Sequence, residues 1–397
     1  MLMVERLRTS HVGILALVIL GVSGCEHADG QWRPPPEEPY VYEDLPEGVP
    51  LPPEVDGEPL TKPRVELGRH LFYDVRLSLN ETQSCASCHR QELAFTDGLP
   101  TSIGSTGEVH FRNAQSLVNV AYVPRFTWSN PLLDSLSRQA LIPLLGERPI
   151  ELGAGGHEED ILARLRADER YQILFPLAFP EEEEPFSIHT ISVALSAFQR
   201  TIVSFRSRYD RYVYESDESA LNEQELLGMQ LFFSERTECF HCHAGVLFSD
   251  SIDHQGLAFV ELPFHNNGLY NVDGHGGYPK RDRGVFDVTG KPEDMGKFRS
   301  PSLRNVAVTA PYFHDGSAAT LEEVLEHYMR GGRLIEEGPN AGDGAESPRK
   351  NAFIREFMLR EYEKEAIIAF LKALTDEPLL HDPRFSDPWE SDAPPPN

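Results

Sequence analysis

Cysteine is scarce in this chain, with five in 397 residues. Four of them fall in two Cys-x-x-Cys-His motifs, Cys85-Ala86-Ser87-Cys88-His89 and Cys239-Phe240-His241-Cys242-His243, and the fifth is Cys25. Nothing is left over for a disulfide framework. Basic residues are also in deficit: 36 Lys and Arg stand against 63 Asp and Glu, a formal net charge of -27. Nucleic-acid binders carry a basic stripe, and none is found here, so that class is excluded. Acidity of this kind keeps a surface solvated and suits a partner with a basic patch. The apolar stretch from Val12 to Val22 is too short to span a bilayer. Sustained strand alternation is missing as well, which argues against a sheet protein. Hydrophobic residues nevertheless make up 40%, enough for a globular chain and too many for a disordered one.

The N-terminus reads as an export signal. Arg6 and Arg8 precede the apolar stretch, and Val22-Ser23-Gly24-Cys25 has the form of a lipobox. The expectation is a lipoprotein signal peptide over 1–25, with a lipid anchor on Cys25. Cleavage after a small residue, releasing a soluble protein, is the alternative. Both place the chain outside the cytoplasm, in a bacterial periplasm. Residues 26–60 are rich in Pro and Glu and are expected to form an extended tether. Residues 381–397, which end Ala393-Pro394-Pro395-Pro396-Asn397, are expected to form a tail.

Between them lies an internal repeat. Leu67-Gly68-Arg69-His70-Leu71-Phe72-Tyr73 precedes the first motif, and Leu227-Gly228-Met229-Gln230-Leu231-Phe232-Phe233 precedes the second. Leu, Leu and Phe recur at helical spacing in both. Helical patterns return over 188–205, 321–329 and 363–374, and loops rich in Gly and Pro intervene. The expected fold is mainly α, with two tandem cytochrome c-like domains over 61–215 and 216–380 and long loops.

The Cys-x-x-Cys-His spacing lets two thiols add to the vinyl groups of a haem and puts the adjacent His under the iron. A zinc site would need further paired ligands, and a redox dithiol would not recur with His each time. The motifs therefore imply two covalently bound haem c groups, held by Cys85, Cys88, Cys239 and Cys242, with His89 and His243 as iron ligands. His241 is read as a bystander inside the second motif.

Beyond the motifs, several segments carry a resemblance. They are Thr101-Ser102-Ile103-Gly104, Arg112-Asn113, Phe298-Arg299-Ser300-Pro301-Ser302-Leu303-Arg304-Asn305-Val306, and Thr309-Ala310-Pro311-Tyr312-Phe313-His314-Asp315-Gly316. Over roughly residues 60 to 378 the chain resembles the bacterial dihaem cytochrome c peroxidases, and among them the branch of MauG and MbnH. Gly268-Leu269-Tyr270-Asn271, His327-Tyr328 and Arg148-Pro149-Ile150-Glu151-Leu152-Gly153 are especially similar to MbnH.

The resemblance implies the rest of the site. Ser105 stands where ordinary members place a His that caps the first haem, so that haem is expected to be open to peroxide; His110 is a possible substitute cap. Tyr328 falls where ordinary members have a Met on the second haem; MauG and MbnH are similar in using a Tyr there, and His327 and Met329 are competitors. Successive helical residues turn by about 100°, so one of the three can face an iron. Glu151 takes the acid–base position for cleaving peroxide, with Glu147 as the alternative, and Gln139 and Pro143 match other pocket residues. Trp128 takes the place of a Trp that relays electrons between haems. A calcium ion is implied at the side chain of Asn113 and the carbonyl oxygens of Thr309 and Pro311. The implied activity is a peroxidase-like oxidoreductase in which hydrogen peroxide forms a high-valent dihaem state that oxidises a partner protein, an MbnP-like substrate, at tryptophan. A peroxide-detoxifying cytochrome c peroxidase fed by a small redox protein is the alternative, and a pure dihaem electron carrier is a third reading.

Overall fold

The computed structural model describes residues 38–389. The export signal, Cys25, residues 26–37 and residues 390–397 lie outside them. Among the described residues there are eleven α-helices: α1 Lys62–Tyr73, α2 Cys85–Cys88, α3 Leu136–Leu145, α4 Glu158–Arg166, α5 Glu169–Ala178, α6 Ile188–Arg200, α7 Arg208–Tyr214, α8 Glu223–Phe232, α9 Phe286–Thr289, α10 Leu321–Arg330 and α11 Glu361–Ala373. Strand content among the described residues is a single antiparallel pair, Leu334–Ile335 with Gly342–Asp343. The mainly α expectation with long loops therefore holds. No helix among the described residues is long and apolar enough to cross a membrane.

Local chemistry sets the helix starts. Thr61 accepts from Arg64 N ahead of α1, and Ser187 and Thr190 form a reciprocal capping box at α6. Asn222 and Glu225 do the same at α8, while α10 begins at Thr320 and stops at Gly331, whose φ of 77° suits glycine.

The repeat seen in the sequence is a repeat of structure. Helix α1 packs on α6, and α8 packs on α11. A methyl group built on Gly68 would lie 1.9 Å from the Ala194 carbonyl oxygen, and one built on Gly228 would lie 1.9 Å from that of Ala366. Each glycine is the point where two backbones touch. Beside the first crossing Phe72 meets Phe198 at 5.2 Å between ring centroids; beside the second Phe232 meets Phe370 at 5.5 Å. Burying such rings contributes roughly 1.5–3 kcal/mol each. The correspondence extends to the loops. Asn119 and Asn305 both take positive φ, and their side-chain oxygens accept from Ser204 N and Asp376 N.

Two linker expectations are corrected. Residues 38–60 do not stand off as a tether. Tyr122 donates to the Pro50 carbonyl at 2.9 Å, Arg200 to the Glu58 carbonyl at 3.0 Å, and Ser137 to the Glu58 carboxylate, while Val49 is buried. Proline removes donors but leaves carbonyls, and these find partners on the body. The 381–389 part of the tail is packed too. Phe385 is buried, and Trp389 donates to the His70 carbonyl beneath the Arg170 guanidinium.

Candidate functional site

Both Cys-x-x-Cys-His motifs open into one cavity of about 610 Å³. Cys85, Cys88 and His89 line it from the first motif, and Cys239, Cys242 and His243 from the second. His89 Nδ1 lies 2.8 Å from the Phe95 carbonyl, and His243 Nδ1 lies 2.9 Å from the Phe248 carbonyl. A carbonyl only accepts, so Nδ1 carries the proton in both rings and Nε2 is left as the metal-binding atom. Both carbonyls come from Phe residues held at positive φ, 62° and 53°, which turn the chain back over the histidine. Burial lowers both imidazole pKa values and keeps the rings neutral, as a metal ligand must be. Burial also pushes the Cys85 and Cys88 thiols up to about 12 and Cys239 up to about 11. His241 is not part of the cavity wall; it stacks on Phe353 at 3.9 Å and pairs with Glu238 at 2.7 Å.

The first motif's end of the cavity carries an acid. Glu151, Gln139 and Pro143 all line the wall, the last two from α3. Burial raises the Glu151 carboxyl to about 7. Glu147 is exposed and does not line the cavity. His110 does, with Nδ1 4.0 Å from the Glu151 carboxylate, whereas Ser105 is not part of the wall.

The other end carries a phenol. Leu321, Val324, Leu325 and Tyr328 form one stripe of α10 along the cavity, the i, i+3, i+4, i+7 face of a helix. That rotation turns its neighbours away. His327 Nε2 meets the Asn267 carbonyl at 3.0 Å, and Met329 packs on the Val306–Leu325 cluster. Burial holds the Tyr328 phenol up at about 12, and the Cys239 and Cys242 thiols lie near enough to add to the shift. A phenol so placed ionises only against a cation.

Trp128 lines the cavity and donates its indole N–H to the Asn113 carbonyl at 2.9 Å. Asn113, Thr309 and Pro311 also line the cavity. Three residues of the segments that carried the resemblance had no role assigned from the sequence: Arg299, His314 and Phe298. Arg299 faces the cavity fully buried, and burial pulls its guanidinium down to about 10. A buried cation on a cavity wall calls for an anion, and haem propionates are anions. His314 stacks on Phe298 at 3.7 Å. No local pattern announces either contact, because both are made by residues distant in sequence.

Two thioether-competent cysteine pairs, two histidines whose Nδ1 faces a backbone carbonyl and a large apolar cavity with a buried cation define a c-type dihaem protein. The comparisons with known proteins agree. Residues 62–218 match the family model for di-haem cytochrome c peroxidase. A cytochrome-c peroxidase IdrP1 of Denitromonas iodatirespirans is 34% identical over 93% of this chain and 94% of its own. The methylamine utilization protein MauG of Methylorubrum extorquens is 32% identical over 84% of this chain and 83% of its own. Among solved structures, a MauG-like protein associated with microbial copper homeostasis shares 52% identity at a TM-score of 0.85, covering 87% of this chain and 99% of that one. The chain belongs to the dihaem cytochrome c peroxidase and MauG family: it is a haem-dependent oxidoreductase with two haem c groups.

Proposed function

We propose that this enzyme takes hydrogen peroxide at the haem of His89 and uses its oxidising power, shared with the haem of His243, to oxidise a partner protein at tryptophan. The observation that carries this reading is the unequal furnishing of the cavity. A carboxyl raised to about 7 stands at one end, and Tyr328, alone of His327, Tyr328 and Met329 on α10, faces the other. The 52% identity with a MauG-like protein associated with copper homeostasis supports the same branch. The haems supply peroxide reduction and hold the oxidising equivalents when bound.

The chain's own residues do the rest. Glu151 takes a proton from one peroxide oxygen and returns it to the other, and Gln139 and Pro143 bound the space in which this happens. With Ser105 in place of a capping His, the first haem would be left open to peroxide. Tyr328, as phenolate, would hold the second, and Trp128 would pass electrons between them. The peroxide-reactive haem belongs to 61–215 and the closed one to 216–380. Oxygen donors at Asn113, Thr309 and Pro311 suit a calcium ion; a chelator is expected to lower the thermal midpoint, and an unchanged midpoint argues against the ion. The export signal and Cys25 support a periplasmic enzyme on a lipid anchor.

The test is mass spectrometry of an MbnP-like partner after incubation with the holoenzyme and peroxide. Oxygen gain on a partner tryptophan is expected. A second reading, peroxide detoxification fed by a small redox protein, is favoured by the relatives named cytochrome-c peroxidases. Rapid peroxide turnover with a reduced cytochrome, and an unmodified partner, would select it.

A further inference from the structure

An aromatic cluster runs outward from Trp128. The ring centroid of His314 lies 6.5 Å from that of Trp128, and Tyr270 lies 6.5 Å beyond His314. Tyr278 is equally close to His314, at 6.4 Å. The two tyrosines differ in what their hydroxyls meet. The Tyr270 hydroxyl donates to Asp315 Oδ2 at 2.5 Å. The Tyr278 hydroxyl donates to the amide oxygen of Asn266 at 3.0 Å, a group that cannot keep a proton. Tyr278 is buried, whereas Tyr270 and Asp315 are partly exposed.

We infer that Tyr270 and Asp315 form a proton-coupled relay, the point at which an oxidising equivalent on Trp128 is delivered toward the surface. The inference rests on the reading that Trp128 passes electrons in the peroxide reaction. The step balances within the chain. One electron passes from the Tyr270 ring to oxidised Trp128, the phenol O–H bond breaks, and the proton forms a new O–H bond on Asp315 Oδ2. When a partner returns an electron to Tyr270, the proton returns with it.

The surroundings suit this use. An oxidised phenol is a strong acid, so a carboxylate in hydrogen-bond contact receives its proton without a move of either side chain. Arg333 lies 3.2 Å from Asp315 Oδ2 and over the Tyr270 ring at 4.5 Å. Burial alone would raise the Asp315 carboxyl, but His314, Arg333 and hydrogen bonds hold it below its usual value, ionised and ready. At rest Tyr270 keeps its proton, because burial and Asp315 raise the phenol to about 12. Aromatic packing alone would account for the ring contacts, and it gives no reason for a carboxylate at the hydroxyl of one tyrosine and an amide at the other.

The experiment is freeze-quench electron paramagnetic resonance of the holoenzyme after peroxide, with ring-deuterated tyrosine to mark a tyrosine-centred signal. The wild type is expected to show that signal. Tyr270→Phe should remove it, and Tyr278→Phe should leave it. Asp315→Asn, which keeps the hydrogen bond but not the base, should cut it roughly ten-fold or more. Persistence of the signal in Tyr270→Phe overturns the relay. So does oxidation of the haems with no tyrosine signal in the wild type, and that measurement needs no variant. Failure of the haems to react with peroxide overturns the underlying reading, and the relay with it.

Discussion

At Glu151 a single carboxyl is set apart by where the chain puts it. Burial raises it to about 7, so it is neutral below that pH and charged above it. The base form that takes the peroxide proton grows as pH rises. The rate at which the oxidised enzyme reacts with peroxide should therefore climb through about pH 7. Glu151→Gln should slow the reaction by about 10²–10⁴ and flatten the profile, while Glu147→Gln should leave both unchanged. Stopped-flow spectra across pH check this, and a pH-independent wild type would contradict it. At this scale the sequence was legible where chemistry is local. The haem motifs could be read directly, since five consecutive residues carry them. Choosing Tyr328 over His327 and Met329 on the residues themselves required the rotation of α10, which Leu321, Val324 and Leu325 set. Arg299 and His314 stood in segments that carried the resemblance, but their roles could not be read, because they come from a cavity assembled by remote segments.

Among the elements, the two helix crossings yield the cleanest sign test. Propensity says that Gly to Ala inside a helix stabilises by about 1 kcal/mol. Packing says the opposite at Gly68 and Gly228, since the new methyl would sit 1.9 Å from a backbone carbonyl oxygen in each case. Backbone cannot swing aside as a flexible side chain can, and overpacking costs about 1–3 kcal/mol or more. Gly68→Ala and Gly228→Ala are therefore expected to lower the thermal midpoint of the holoenzyme. An unchanged or raised midpoint would mean that the helices separate freely. The Leu-Gly-x-x-Leu-Phe repeat was visible in the sequence. The reason for its glycine was not, because Ala194 and Ala366 belong to helices far along the chain.

For the whole molecule, composition misled in the linkers. Proline and glutamate before residue 60 read as a tether, yet from residue 38 onward that segment lies on the body through Pro50, Glu58 and Val49. A deletion of 38–60 should thus lower stability, because the Glu58 partners Ser137 and Arg200 would lose it; a thermal melt of the truncated protein checks this. The division of labour between the two haems, one open beside Glu151 and one closed by Tyr328, is the central claim. The most direct test is to add hydrogen peroxide to the fully oxidised holoenzyme, with no reductant, and record the optical spectrum of both haems. Immediate change at both haems is predicted, lost at the second haem in Tyr328→Phe; a protein that ignores peroxide until one electron is supplied would contradict the account.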